Sequence, residues 1–239
     1  VGTLLTTALA LLFAIPPAFV TALRLVDAPP GIGEILSQAL DLLAAIPSVI
    51  YGMWGLFVLV PIMQDHVQPF LSDTLGLGKI PFFGEYGNGF GFLTASLILA
   101  LMILPYISAV MRNVFRMTPA VLRESAFGIG CTRWETAKDI VMRYGIRGLL
   151  GGIFIGLGRA LGETMAVLFV IGNVVALPED LYASGTTIAA TLANNFAEAD
   201  GILRAVLFAL GLILLLLALG VQVLAHYYLA LTGAGRGER

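Results

Sequence analysis

Five apolar stretches, each about as long as the hydrocarbon core of a bilayer is thick, constrain the fold of this chain more than any other feature. A helix crosses roughly 30 Å of hydrocarbon with about 20 residues. The predicted spans are, in chain order, 3–23, 38–63, 91–111, 147–172 and 203–229. We therefore predict an all-α fold, a polytopic transmembrane helical bundle.

The composition excludes a water-soluble domain. Of the 239 residues, 59% are hydrophobic and 12% are charged, and the mean hydropathy is +0.95. Soluble domains carry about 25% charged residues, so one soluble core cannot enclose this much apolar surface. Pro16, Pro17 and Pro47 fall inside predicted spans, and we expect kinks there because neighbouring helices can satisfy the freed carbonyls.

Basic residues are concentrated on one side of the predicted membrane. Lys and Arg near span ends stay cytoplasmic, which places the 112–146 loop inside. Lys79 and Arg204 then lie outside and Arg159 lies within a span, which leaves ten of the 13 Lys and Arg residues inside. These ten are Arg24, Arg112, Arg116, Arg123, Arg133, Lys138, Arg143, Arg147, Arg236 and Arg239. This sidedness reflects the membrane and indicates no nucleic-acid partner.

The same orientation puts the first residue on the outer face. We therefore expect a further span to precede the five, which makes six in the full protein.

Two opposite charges, Arg159 and Glu163, interrupt the apolar fourth span. If the span enters hydrocarbon near Leu149, Arg159 lies about 15 Å deep. A charge at that depth costs about 2.5–3.5 kcal/mol, so it normally faces a bundle interior or an aqueous cavity. Gly152 and Gly156 precede the pair at helical spacing, which puts all four residues on one face and predicts a glycine seam for close helix packing.

Two interpretations of the charged pair stay open at this point. In the first, Arg159 and Glu163 form a salt bridge that only fixes two helices together. In the second, Arg159 is a fixed cation that lines a pathway for an anion. Glu163 then orients the arginine and keeps the anion's hold weak enough for release.

A polar segment at residues 118–142 lies on the predicted cytoplasmic side and has the pattern of two helices joined by a tight turn. Thr118 and Pro119 are typical of an N-cap and a first helical position. Gly128 and Gly130 end this helix, because glycine readily adopts the left-handed conformation at a helix C-terminus.

The second helix of this segment opens on a capping box, because Glu135 follows Thr132 by three residues. The two helices are too polar to enter the membrane and too short to form a domain. An exposed helical knob of this kind suits docking into a groove of another protein, although a solvated loop with ordinary capping accounts for the same residues.

Residues of this knob resemble the coupling loop of ABC importer permeases, whose pattern is E-A-A, a three-residue gap, G, a nine-residue gap and I. The matching residues are Glu124, Ser125, Ala126, Gly130 and Ile140. Met142 and Arg143 stand where the family usually has Leu and Pro. The resemblance implies a type I ABC importer permease fold and assigns these residues, together with Gly128, to coupling with an ATPase.

Longer stretches resemble one branch of that family, the C-type (PstC) permeases of phosphate ABC importers. They are AAIPSVIYGMWGLFVLVP (44–61), LPYISAVMRNVF (104–115), ESAFGIGCTRWE (124–135), GLGRALGETMAV (156–167) and ATLANNFAEA (190–199). The forms YGMWG and RALGETMAV favour this branch over the A-type sister permease. The resemblance runs through essentially the whole chain.

The resemblance implies a multi-pass permease of a bacterial inner membrane that forms the pathway for inorganic phosphate with a sister A-type permease. It also implies two ATP-binding subunits, which hold ATP and Mg, and a periplasmic phosphate-binding protein. The substrate pathway that it implies includes Arg159, Glu163 and Thr164.

The whole chain, 1–239, is then expected to be one transmembrane permease domain, embedded in membrane lipid. Its cytoplasmic coupling-helix loop is predicted at 118–142 and its outer loops at 64–90 and 173–202. The polar outer segment 185–201 suits a gate, a contact with the binding protein or a capped surface helix.

The motifs of enzymes and of resident cofactors are missing from the sequence. It contains no G-x-x-x-x-G-K-[ST] loop, no H-E-x-x-H and no G-x-S-x-G, so we expect another chain to hydrolyse ATP and this chain to hold no metal. His66 and His226 stand alone near span ends, and the single Cys131 excludes a disulfide framework. Tyr51 is interpreted as a packing or interfacial residue.

Three other functions stay open. A permease for another oxyanion would carry the same charged pair, and a secondary transporter could use the pair for proton coupling but would not need the knob. A membrane-embedded enzyme would require a nucleophile or a metal-binding set that the sequence lacks.

Overall fold

The computed structural model describes residues 1–29, 31–76, 78, 80, 83–84, 87–177 and 180–233. Lys79, Arg236 and Arg239, which the charge pattern assigned to sides of the membrane, lie outside these residues. The described residues form helices joined by loops, with an isolated parallel bridge between Gly172 and Gly185. Among them are five helices long and apolar enough to cross a membrane, in agreement with the predicted all-α fold.

The helices of the described residues are named here in chain order. They are α1 (Gly2–Asp27), α2 (Ile32–Ala45), α3 (Ser48–Thr74), α4 (Phe92–Arg116), α5 (Ala120–Gly128), α6 (Arg133–Leu161), α7 (Met165–Leu168), α8 (Ile188–Asn195) and α9 (Gly201–Gly233). Wider π-helical turns occur in α3, at Gly55–Leu59, Met63–Val67 and Phe70–Thr74, and in α6, at Thr136–Val141.

The predicted second span, 38–63, is wrong in its bounds. The chain breaks at Ile46 and Pro47, which both have extended backbone, so that α2 and α3 are separate helices. Proline lacks the N–H of a helical bond and disfavours helical geometry in the residue before it, which turns the predicted kink into a break. Because α3 continues to Thr74, the loop predicted at 64–90 starts after that residue in the structure.

The predicted fourth span, 147–172, also differs from the structure. Helix α6 starts earlier, at Arg133, and ends at Leu161, and the short α7 follows after a non-helical stretch at 162–164. By contrast, Pro105 lies inside α4 without ending it.

Helix α4 is the centre of the bundle, and α1 packs along one side of it through a stripe of small residues. Ala10, Ala14, Ala18 and Ala22 recur every fourth residue and are fully buried in one core cluster with side chains of α4. Small residues at this spacing let two backbones approach closely. At the cytoplasmic end of the contact, the rings of Phe19 and Phe115 meet edge to face at 5.4 Å.

Helix α6 packs on α4 through a stripe of glycines, and the two helices run antiparallel. The glycines oppose α4 side chains in descending order, from Gly148 at Val114 through Gly152 at Val110 to Gly156 at Ile107. A Cβ at residue 152 would lie 3.0 Å from Cγ1 of Val110, and one at residue 156 would lie 2.8 Å from Cδ1 of Ile107. The contact therefore leaves no room for larger side chains without a shift of the neighbouring atoms.

The outer segment after α7 closes the top of α4. The N–H groups of Gly91, Phe92 and Leu93 donate to the carbonyls of Val170, Ala183 and Leu181 at 3.2, 3.3 and 2.9 Å. These bonds satisfy N–H groups that a helix start leaves without an intrahelical acceptor.

Residues 185–201 contain a capped helix, which is one of the structures that their sequence suits. Thr187 caps α8 by accepting the N–H of Ala190 at 3.2 Å. Thr3 of α1 accepts the N–H of Ile188 at 3.0 Å, so α8 is held against the first helix.

The glycine stripe gives a test of helix packing. We expect Gly156→Leu to overpack the contact with Ile107, at a cost of about 1–3 kcal/mol, and to lower the melting temperature of the detergent-purified protein. Gly151→Leu is the matched control, because no atom of the described residues lies within 4 Å of a Cβ at that position. Equal losses of stability in the two variants would show that the stripe does not determine the contact between α4 and α6.

Candidate functional site

Arg159 lies near the end of α6, at the level of the middle of α4. Its guanidinium carbon is 4.0 Å from the centroid of the Tyr106 ring. Tyr106 is about 21 Å along α4 from Phe92 and about 15 Å from Arg116 at the rise of a regular helix. The predicted mid-depth position of the arginine therefore corresponds to the middle of the helix that it contacts.

The guanidinium of Arg159 is unpaired among the described residues. Its Nε atom is buried without a hydrogen-bond partner, and the ion pair seen between described side chains joins Arg143 and Asp139, at 3.6 Å. The salt-bridge interpretation of Arg159 is therefore wrong. The guanidinium N–H groups are therefore available to donate hydrogen bonds to a ligand.

Glu163 does not share the helix face of Arg159, because α6 ends two residues before it. Its carboxylate instead accepts the N–H of Ala166 at 3.2 Å, which caps the first turn of α7. Thr164, also predicted for the pathway, donates its hydroxyl to the carbonyl of Gly162 at 3.3 Å. The prediction that Glu163 orients Arg159 is therefore wrong, since it assumed an unbroken helix.

Two tyrosines bind the end of α2, and the sequence analysis missed this role. The hydroxyl of Tyr106 donates to the carbonyl of Ala44 at 2.5 Å, and that of Tyr51 donates to the carbonyl of Leu43 at 2.9 Å. The last carbonyls of a helix lack the usual i+4 partner, and the break at Pro47 leaves those of α2 to other donors, with the N–H of Ile46 also donating to the carbonyl of Leu43 at 3.3 Å. The only local signal was a hydroxyl-bearing aromatic in the middle of an apolar span.

Several helix ends converge around Arg159. The start of α3 packs on α7, where a Cβ at Gly52 would lie 2.9 Å from the carbonyl oxygen of Met165. Non-helical backbone at membrane depth is tolerated only where protein or a water-filled cavity covers it. Discontinuous helices near the midplane are typical of substrate sites in transporters, so the breaks near Arg159 favour a pathway there.

A cavity of about 350 Å³ lies beside these helix ends. Its lining is apolar apart from the Tyr51 hydroxyl and the Trp54 indole N–H and comprises Leu43, Ile46, Ile50, Tyr51, Trp54, Leu101, Leu104 and Pro105. No charged side chain lines it, so it does not suit an anion. Among the described residues, no group of three or more His, Cys, Asp or Glu side chains could hold a metal ion.

The knob at 118–142 has the predicted two helices, α5 and the start of α6, with a tight turn between them. Gly130 in the turn has φ +92°, and Thr132 and Glu135 form the predicted capping box, in which each side chain accepts the other's backbone N–H at 2.7 and 3.3 Å. The predicted cap by Thr118 is wrong. Pro119, with extended ψ, takes the N-cap position, and the buried Thr118 hydroxyl has no partner among the described residues.

The knob exposes both polar and large apolar side chains. Glu124 and Ser125 are exposed, whereas Ala126 is buried and Ile140 is half-buried. Ile129, in the turn, is 84% exposed. The other large apolar side chains exposed on the knob are Val121, Leu122, Phe127 and Trp134. Exposed apolar surface concentrated in one short segment favours an interaction surface there.

Arg123 ties the knob to the central helix. Its Nη2 donates to the carbonyl of Phe115, in the last turn of α4. A cation is favourable at a helix C-terminus because the helix dipole is negative there. The sequence analysis assigned Arg123 only to the cytoplasmic side and did not predict this contact.

The comparisons with known proteins agree with this architecture. Residues 4–229 match a family described as binding-protein-dependent transport system inner membrane component. The phosphate transport system permease protein PstC of Pasteurella multocida is 50% identical over 222 residues, which cover 91% of this chain and 69% of that protein. The probable PstC of Methanocaldococcus jannaschii is 36% identical over 233 residues, which cover 95% and 73%.

Two solved structures share the fold. The MetNI methionine ABC transporter in inward-facing conformations matches with a TM-score of 0.67 at 15% identity, covering 96% of this chain and 92% of that one. A bacterial alginate ABC transporter matches with a TM-score of 0.64 at 19% identity, covering 95% and 75%.

The five apolar helices and these matches define a multi-pass permease of the ABC importer class, a transport protein and not an enzyme. The chain belongs to the binding-protein-dependent transport system inner membrane component family, in the branch formed by the PstC permeases. The type I importer permease fold expected from the sequence is thereby confirmed.

The turn of the knob can be tested with two neighbouring glycines. Gly128 and Gly130 both have open space around a Cβ, but only Gly130 has a left-handed backbone. We expect Gly130→Ala to destabilise the turn by about 1–2 kcal/mol and to speed hydrogen exchange of the amides in 120–141 roughly tenfold. Gly128→Ala should leave exchange unchanged or slower, and similar acceleration in both variants would contradict the backbone argument.

Proposed function

We propose that this chain is a permease subunit through which an ATP-driven importer passes inorganic phosphate across a bacterial inner membrane. The observation that carries the proposal is Arg159, a mid-depth guanidinium that no described residue pairs with. The substrate is inferred from the PstC relatives, which are phosphate transport system permeases by name.

Arg159 suits an oxyanion because the planar guanidinium presents several N–H donors to the oxygens of phosphate. A competing carboxylate would neutralise the charge, but Glu163 is engaged in capping α7. Glu163 and Thr164 still lie within five residues of Arg159, at the break between α6 and α7, and we assign them to the same pathway. The negative charge of Glu163 in this region limits how tightly an anion is held, as release requires.

The partners follow from the surfaces that the chain leaves uncovered. Helix α9 exposes most of its apolar side chains, which suits lipid and a sister A-type permease that completes the pathway. The outer loops, after α3 and after α7, are assigned to a periplasmic phosphate-binding protein. Two ATPase subunits hold ATP and Mg, and residues 118–142 dock on one of them.

Coupling begins at the knob, whose exposed surface includes Glu124 and Ser125. ATP-driven closure of the ATPases moves α5, and the bond from Arg123 to Phe115 passes this movement to α4. Because α4 carries Tyr106 beneath Arg159, the movement reaches the arginine and exposes it alternately to the two sides of the membrane.

Removal of the arginine's charge tests the proposed pathway. We expect Arg159→Gln to reduce ATP-dependent phosphate uptake by the complete importer in vesicles at least about tenfold, because a hydrogen bond to a charged group contributes about 1.5–3 kcal/mol. Assembly of the subunits should be unchanged. Arg24→Gln, which removes an exposed cation at the end of α1, is the control with normal uptake expected.

The result would go against the proposal if Arg159→Gln transported phosphate as well as Arg24→Gln. Loss of arsenate or sulfate uptake in place of phosphate uptake would keep the pathway but change its substrate.

The coupling assignment has its own test. We expect Glu124→Gln to leave the subunits assembled and ATP hydrolysis measurable, while phosphate moved per ATP hydrolysed falls severalfold, because the knob no longer docks correctly. Glu34→Gln, on exposed α2, is the matched control. An unchanged ratio of transport to hydrolysis in the Glu124 variant would remove Glu124 from the docking surface.

A further inference from the structure

Tyr106, whose ring lies beneath Arg159, makes two polar contacts that simple packing does not require. Its ring lies 4.0 Å from the guanidinium carbon, and its hydroxyl donates to the carbonyl of Ala44 at 2.5 Å. One side chain from α4 therefore contacts the cation of α6 through its ring and the end of α2 through its hydroxyl.

We propose that Tyr106 is a positioning residue for Arg159, which holds the guanidinium in the pathway and makes its place depend on the end of α2. The inference rests on the proposed function, in which Arg159 meets the anion, and adds the residue that determines where the arginine is.

The ring suits this task because it attracts a cation without neutralising it. The face of an aromatic ring is negative, and a guanidinium stacked on it is stabilised electrostatically. A carboxylate in the same place would hold the arginine equally well, but it would cancel the charge that an incoming anion needs. Tyr106 therefore explains how Arg159 is held at mid-depth although no described residue forms an ion pair with it.

The hydroxyl of Tyr106 determines where the ring lies. It donates its single proton to the carbonyl of Ala44, so that proton is not available to phosphate, and Tyr106 is not itself a ligand donor in this geometry. The carbonyl is free to accept because α2 stops at the break before Pro47. Any displacement of the end of α2 therefore acts on the ring and, through the ring, on Arg159.

Tyr51 provides a control within the same chain. Its hydroxyl binds the neighbouring carbonyl, that of Leu43, at 2.9 Å, but the ring under Arg159 is that of Tyr106. Substitutions of Tyr51 and Tyr106 therefore both disturb the end of α2, while Tyr106→Leu also removes the ring that contacts the arginine.

The test measures phosphate uptake by the complete importer in proteoliposomes, with KM and the maximal rate determined separately. We expect Tyr106→Leu to raise KM for phosphate about tenfold, as for loss of a desolvated cation–π contact, with little change in the maximal rate. Tyr106→Phe, which keeps the ring but loses the bond that positions it, should raise KM by a smaller factor, up to about threefold. Tyr51→Leu and Tyr51→Phe, which disturb the end of α2 but leave the ring under Arg159 in place, should raise KM clearly less than Tyr106→Leu does.

A series of fluorinated phenylalanines at position 106 tests the proposal even if the leucine variant misfolds. One, two and three fluorines weaken the negative face of the ring stepwise while its shape stays nearly constant. We expect KM to rise with each fluorine. A flat series would overturn the proposal, as would a rise in KM in Tyr51→Leu equal to that in Tyr106→Leu.

The outcome for Arg159→Gln separates the two levels of inference. If that variant loses uptake while the fluorine series is flat, Arg159 acts in the pathway without help from Tyr106. Only the positioning role of Tyr106 is then contradicted. If Arg159→Gln transports normally, the proposed function of the arginine fails, and a rise in KM across the series would then have to come from the ring itself.

Discussion

The close approach of α4 to its two neighbours is the constraint on which the rest of the structure depends. Lipid tails are as apolar as the helices, so association in a membrane relies on tight packing. Alanines of α1 and glycines of α6 provide it on two sides of α4. The glycine register also brings Arg159 near Tyr106, because Arg159 lies about one turn beyond Gly156, which meets Ile107, the residue after Tyr106.

The candidate site lies where regular helices stop. An unpaired backbone group is costly in hydrocarbon, so each break must be compensated by side chains. Tyr51 and Tyr106 compensate the end of α2, and Glu163 compensates the start of α7. One of these side chains, Tyr106, also contacts Arg159, a cation for which the described residues offer no carboxylate partner.

The sequence predicted the features that depend on local composition and spacing. It did not predict the features that depend on contacts between distant residues. Hydropathy located the five apolar helices, and spacing identified the capping box of Thr132 and Glu135, because both signals lie within one element. The periodicity that placed Glu163 beside Arg159 assumed a helix that continues past Leu161. Tyr106 and Arg159 are far apart in the chain, and no pattern in either segment predicts their contact.

The stretch of α4 from Tyr106 to Phe115 contains neither proline nor glycine, the usual causes of helix kinks. It is a stiff rod about 14 Å long. One end accepts the bond from Arg123 of the knob, and the other carries the aromatic platform of the arginine. The site of Arg159 and the knob therefore contact opposite ends of one regular stretch of helix, which contains none of the residues at which helices usually bend.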